Sequence, residues 1–127
     1  MAITYTIDTE LKLVTTTATG AITLSEYQSY LERRRSDPAY DPQMCGIFDA
    51  RGAKLAISAA EMREMADIVK DHLPDSCTRR AIVVSSDLDF GLARMFQALA
   101  DDRRLTYGVF KDFDKALAWA TGHPGEA

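Results

Sequence analysis

Hydrophobic and polar positions along the chain follow two rhythms. Ile3, Tyr5 and Ile7 alternate with Thr4 and Thr6, the period-two signature of a half-buried strand. Asp8-Thr9-Glu10 is a polar turn, and residues 11–19 are rich in β-branched types, which favour a second strand. The pair predicts an antiparallel hairpin that Gly20 closes. Met44-Cys45-Gly46-Ile47-Phe48, ending at Asp49, and Ala81-Ile82-Val83-Val84 are short continuous apolar runs. Such runs suit parallel strands covered on both faces. Leu105 to Phe110 predicts a fifth strand.

Between the strands the apolar spacing becomes three and four. Thr23-Leu24-Ser25-Glu26 is a capping box, and Leu24, Tyr27 and Leu31 share one face of the helix it opens. That helix stops near Ser36, because Asp37 precedes Pro38. Ser58-Ala59-Ala60-Glu61 opens a second helix, with Met62, Met65, Ala66, Val69 and Leu73 inward and Pro74 as its stop. A third runs from Asp89 to Asp102 and buries Leu92, Phe96 and Leu99. Asp112 caps a last helix that buries Phe113, Ala116, Leu117 and Ala120. Gly122 is its C′ residue, and 123–127 is a frayed tail. The order ββαβαβαβα predicts one α/β domain over residues 1–122. Its mixed five-stranded sheet is parallel, with right-handed crossovers, except where the hairpin supplies an antiparallel edge.

The bulk numbers narrow the function classes. With 127 residues and 46% hydrophobic content, the chain builds one core without staples. Its net charge of −4 is the wrong sign for a nucleic-acid binder, whose affinity rests on phosphate contacts. Cys45 and Cys77 have no metal spacing and read as free thiols of a reducing compartment. There is no basic-then-apolar leader and no apolar run near the ~18 residues of a membrane span. The expected location is therefore cytoplasmic.

Four phrases carry a family likeness: Tyr5-Thr6-Ile7-Asp8, Asp37-Pro38-Ala39-Tyr40-Asp41-Pro42, Phe48-Asp49-Ala50-Arg51-Gly52, and Phe90-Gly91-Leu92-Ala93-Arg94-Met95-Phe96. With the element order, they resemble a bacterial SpoIIAA-like group. That fold is shared with STAS domains and, more distantly, with CRAL-TRIO lipid carriers. The resemblance implies a SpoIIAA-like fold and a non-enzymatic interaction or regulatory module. The lipid-carrier likeness implies an alternative, a small-molecule or lipid-binding domain. In anti-sigma-factor antagonists the corresponding strand leads through an Asp-Ser-Ser-Gly type turn to a phosphorylated serine. Here Asp49 is followed by Ala50-Arg51-Gly52, and Ser58 comes only after a loop over residues 50–57. Ser58 is nevertheless the candidate phosphosite.

Candidate chemistry gathers where the predicted parallel strands end. Asp49, Arg51, Ser86, Asp87, Asp89 and Phe90 fall at or just past carboxyl ends, the edge where open α/β sheets bind ligands. Asp and Ser are also the preferred helix caps, so each residue has a structural reading too. Asp89-Phe90-Gly91 has the form of a kinase metal-binding motif, but the glycine-rich loop, strand lysine and catalytic loop that chemistry needs are missing. Arg33-Arg34-Arg35, Arg79-Arg80 and Arg103-Arg104 lie at the opposite pole, where helix dipoles account for them. His72 and His123 lack spaced partners for a metal or a nucleophile. The expectation is an unknown protein partner or small ligand, with no metal, no cofactor and no catalytic set. Trp119 or Tyr30 offers a homodimer surface.

Overall fold

The computed structural model describes residues 2–71 and 78–122. The predicted helix stop at Pro74, His72, Cys77 and the tail 123–127 lie outside them. The chain runs β1 (Ala2–Asp8), β2 (Leu13–Ile22), α1 (Leu24–Arg35), β3 (Cys45–Leu55), α2 (Ala59–Lys70), β4 (Thr78–Val83), α3 (Asp87–Ala100), β5 (Leu105–Phe110) and α4 (Phe113–Ala120). This is the predicted order, and the sheet order is β1-β2-β3-β4-β5. Only the β1–β2 pair is antiparallel.

Local chemistry explains where the strands start and stop. The Asp8 carboxylate accepts from the Glu10 and Leu11 amides at 3.0 and 2.9 Å, and Lys12 turns the chain at φ 54°. The loop therefore runs on to Lys12, and β2 starts at Leu13 rather than Leu11. Gly20 does not close that strand. It takes φ 77° inside β2, and pairing continues to Ile22 opposite Leu55.

The predicted end of β3 at Asp49 is corrected too. Pairing with β4 ends there, at Asp49 opposite Val83, but β3 continues along β2 to Leu55. Beyond Asp49 it borders a strand on one side only, so its apolar run breaks off. A β-bulge sits at this point: Thr17 pairs with Asp49, but Thr19 pairs with Gly52. The extra residue reverses which side chains face inward, so Ala50 and then Ala53 are both buried. The expected loop over residues 50–57 is thus mostly strand.

Three helices cover one face of the sheet, and α4 alone covers the other. The larger core joins α1, α2 and α3 to the inward residues of all five strands. Its helix faces differ from the expected ones. α1 buries Tyr30 along with Tyr27 and Leu31, while Leu24 is only half-buried. α3 begins at Asp87, because Ser86 is its N-cap, and it buries Ala93, Phe96 and Ala100 rather than Leu92 and Leu99. Tyr30 is 1% exposed, which removes it as a dimer surface.

On the second face Ala116 and Ala120 of α4 meet Leu13, Ile47, Ala81 and Val83. Trp119 is half-buried, tilted against Phe110 at 5.6 Å, with the Arg79 guanidinium 5.4 Å over its ring. A Cβ on Gly108 would meet Phe110 at 2.8 Å and Trp119 at 3.0 Å, so glycine is what lets α4 sit this close. Gly108→Ala forces both rings to shift. After the usual gain from removing a strand glycine, we expect a net loss of about 1–2 kcal/mol, read as a lower urea midpoint with unchanged slope.

Candidate functional site

The residues predicted from strand ends occupy the expected edge but do not converge. Asp49 and Arg51 lie on the α4 side and form a two-pronged pair, Nε to Oδ1 at 2.9 Å and Nη2 to Oδ2 at 2.8 Å. Asp49 also accepts the Arg51 amide at 3.1 Å, so the carboxylate closes the bulge. Those hydrogen bonds hold the Asp49 pKa below the usual carboxylate range. Arg51 lies 5.1 Å from the Phe113 ring, and its carbonyl accepts from the Ser85 hydroxyl at 3.0 Å.

The other candidates serve the two helix starts. Ser86 caps α3 by accepting from the Asp89 amide at 3.1 Å. Asp89, on the opposite side of the sheet from Arg51, is 4% exposed and accepts the Leu55 amide at 3.4 Å. It ties α3 to the end of β3, at a helix terminus that favours its charge. Asp87 is exposed and pairs with Lys111, which lowers its pKa. Phe90 is half-buried, with Lys111 and Arg94 at 5.6 and 6.0 Å from its ring. Ser58 is exposed. Its hydroxyl accepts from the Glu61 amide at 3.1 Å, and Glu61 returns a bond to the Ser58 amide at 2.9 Å. No group of three or more His, Cys, Asp or Glu among the described residues is placed to hold a metal ion.

The feature the sequence reading missed lies under the helices, toward the other pole. Register aligns Val14, Gly46, Arg80 and Tyr107 in one row across the sheet and Thr16, Phe48, Ile82 and Val109 in the next. Above these rows α1, α2 and α3 leave a cavity of about 80 Å³. Its roof is Tyr27, Tyr30 and Arg34 from α1, Met62 and Met65 from α2, and Ala93 and Phe96 from α3. The rest of its lining is apolar, Ile22, Leu55 and Ile57 among it, apart from Thr16, Arg80 and Tyr107. None of the strand-end candidates lines it.

Two arginines enter this cavity without acidic partners. Among the described residues neither Arg34 nor Arg80 makes an ion pair. Arg34 Nη1 donates to the Tyr30 hydroxyl at 3.1 Å, which shares a 2.6 Å hydrogen bond with Thr16 Oγ1. The guanidinium lies 5.3 Å from the Tyr30 ring centre and 4.8 Å from that of Tyr40, a cation–π arrangement. Tyr40 in turn accepts from Arg80 Nη2 at 3.2 Å, so one tyrosine contacts both cations. Arg34 Nε is fully buried and has no hydrogen-bond partner among the described residues. Burial raises the Tyr27 and Tyr107 pKa values above that of a free phenol, so both are neutral at ordinary pH.

Signals for this site were present in the chain. The Arg33–Arg35 and Arg79–Arg80 clusters were visible, as were the tyrosines of α1. Helix-dipole reasoning accounted for the arginines by their place at the helix ends, whereas the Tyr40 loop and the space beside Gly46 bring one member of each cluster inward. Gly46 has Arg80 Cγ 3.6 Å from where a Cβ would stand.

The architecture is SpoIIAA-like: a mixed five-stranded sheet with four helices. Among solved structures, it is similar to an uncharacterized protein from the DUF3478 family with a SpoIIAA-like fold, from Shewanella loihica PV-4. The TM-score is 0.62 with 17% sequence identity, over 93% of this chain and 93% of that one. Neither a protein-family model nor a curated protein matches the sequence. Among the described residues no helix is long and apolar enough to cross a membrane.

Proposed function

We propose that this chain is a non-catalytic domain that binds a small, largely apolar molecule between its sheet and helices α1, α2 and α3. The observation that carries this reading is the cavity of about 80 Å³. Protein interiors pack like organic crystals and leave few voids larger than a water. A single water needs only ~10–15 Å³, so this space exceeds a packing defect. Drug-sized ligands fill roughly 300–1,000 Å³, so the occupant is small. Met62 and Met65 are the walls that adapt to it, since methionine changes shape at little cost.

The absence of a catalytic role is inferred from how the candidate acids are used. Asp49, Asp87 and Asp89 each already serve a local partner, on Arg51, Lys111 and the Leu55 amide. An interaction module acting through that edge has no comparable observation behind it. The small-molecule alternative, suggested by the likeness to CRAL-TRIO carriers, has the cavity.

Filling the space tests the reading. Ala93 is 2% exposed and lines the cavity. Ala93→Leu is expected to raise the stability of the free protein by about 0.5–2 kcal/mol. Millimolar 1-hexanol should raise the wild-type melting temperature by about 2–5 °C and leave that of the variant unmoved. A variant that responds to hexanol as wild type does would place binding elsewhere and overturn the reading.

A further inference from the structure

Arg34 lines the cavity with a guanidinium that the described residues satisfy only in part. Its Nη1 is spent on Tyr30, while Nε is buried without a partner. A buried donor left unpaired is costly, more so on a charged group. Arg80 stands at the same end of the cavity, joined to Arg34 through Tyr40, and neither has an acidic partner among the described residues. Two cations thus border an apolar space with no counter-charge among the described residues.

We propose that the ligand is an amphipathic monocarboxylate, its carboxylate against the guanidinium of Arg34 and its short apolar tail among Met62, Met65 and Phe96. A guanidinium presents parallel N–H bonds that match the two oxygens of a carboxylate. The Tyr30 and Tyr40 rings hold the guanidinium in place. Arg80 adds a second positive charge, whose attraction is strengthened by the low dielectric. A bulkier dianionic head would need more donors than this end supplies, and the cavity of about 80 Å³ limits the tail to a short one. This inference rests on the cavity reading above and specifies its ligand.

The experiment compares hexanoate, 1-hexanol and hexylamine, one tail with three heads, by NMR titration of the intact protein at neutral pH. Hexanoate is expected to bind at least about tenfold more tightly than either of the others. Arg34→Met should bring hexanoate down to the level of hexanol while leaving hexanol unchanged, which also shows that the variant is folded. Equal binding of hexanoate and hexanol to the wild type would overturn the carboxylate assignment and leave the cavity reading standing. Tightest binding of hexylamine would overturn it as well. If none of the three binds, the cavity reading itself fails.

Discussion

Replacing Tyr30 with alanine is expected to remove about 3–5 kcal/mol of stability, a large fraction of the ~5–15 kcal/mol of a typical domain. Tyr30 is among the largest fully buried side chains of the protein. It packs edge-on against Tyr5 at 6.0 Å and Phe48 at 5.8 Å, and its loss opens a void under α1 that the sheet cannot close. Its hydroxyl serves Thr16 and Arg34 together. Tyr30→Phe keeps the ring and removes only that oxygen, leaving two buried groups short of a partner, and should cost about 1–3 kcal/mol. Urea unfolding of the two variants separates the packing part from the polar part. A loss below about 1 kcal/mol for Tyr30→Ala would contradict the placement of this ring in the core.

Stability should also collapse in alkali. Tyr27 and Tyr107 are buried, and desolvation raises both pKa values. Tyr5 shifts in the same direction, chiefly by burial and then through its hydrogen bond to Asp37. The folded state therefore holds these protons more tightly than the unfolded chain, whose phenols titrate near ~10. Below that pH both states are protonated and the contribution is complete. As pH rises above about 10, unfolding releases protons and stability falls, until the folded phenols themselves ionise. Denaturant midpoints measured from pH 8 to 12 should be level at first and then drop steeply. The double variant Tyr27→Phe with Tyr107→Phe should flatten the drop. A midpoint that stays level past pH 11 would contradict the burial of these hydroxyls.

How much of this was legible in the sequence depended on how local the cause was. Thr23 with Glu26 and Ser58 with Glu61 form the two predicted capping boxes, because a cap is settled within four residues. Element order and the parallel sheet followed from apolar spacing, which burial enforces directly. The bulge at Ala50-Arg51 was not legible. Arg51 and Lys54 face solvent because β4 stops at Val83, and no local pattern in β3 reports the length of its neighbour. The helix faces of α3 were misplaced because Leu92 and Leu99 outweigh Ala93 and Ala100 in any apolar reading, although it is the alanines that are buried. Sequence position placed Asp49, Arg51, Ser86, Asp87, Asp89 and Phe90 at the correct edge, but their side chains divide between the two faces. Arg34 was hidden most completely, since a last-turn arginine ordinarily reaches water, and only the return of the Tyr40 loop covers it.

Methionine methyl NMR tests the central claim most directly. Met62 and Met65 line the cavity, whereas Met44 and Met95 pack in the protein but do not border it. With the methionine methyls labelled, titration of hexanoate into the wild-type protein should shift the Met62 and Met65 signals in a saturable way and leave Met44 and Met95 near their free positions. Shifts confined to Met44 or Met95, or no saturable shift at any methionine, would contradict a ligand site between the sheet and helices α1, α2 and α3.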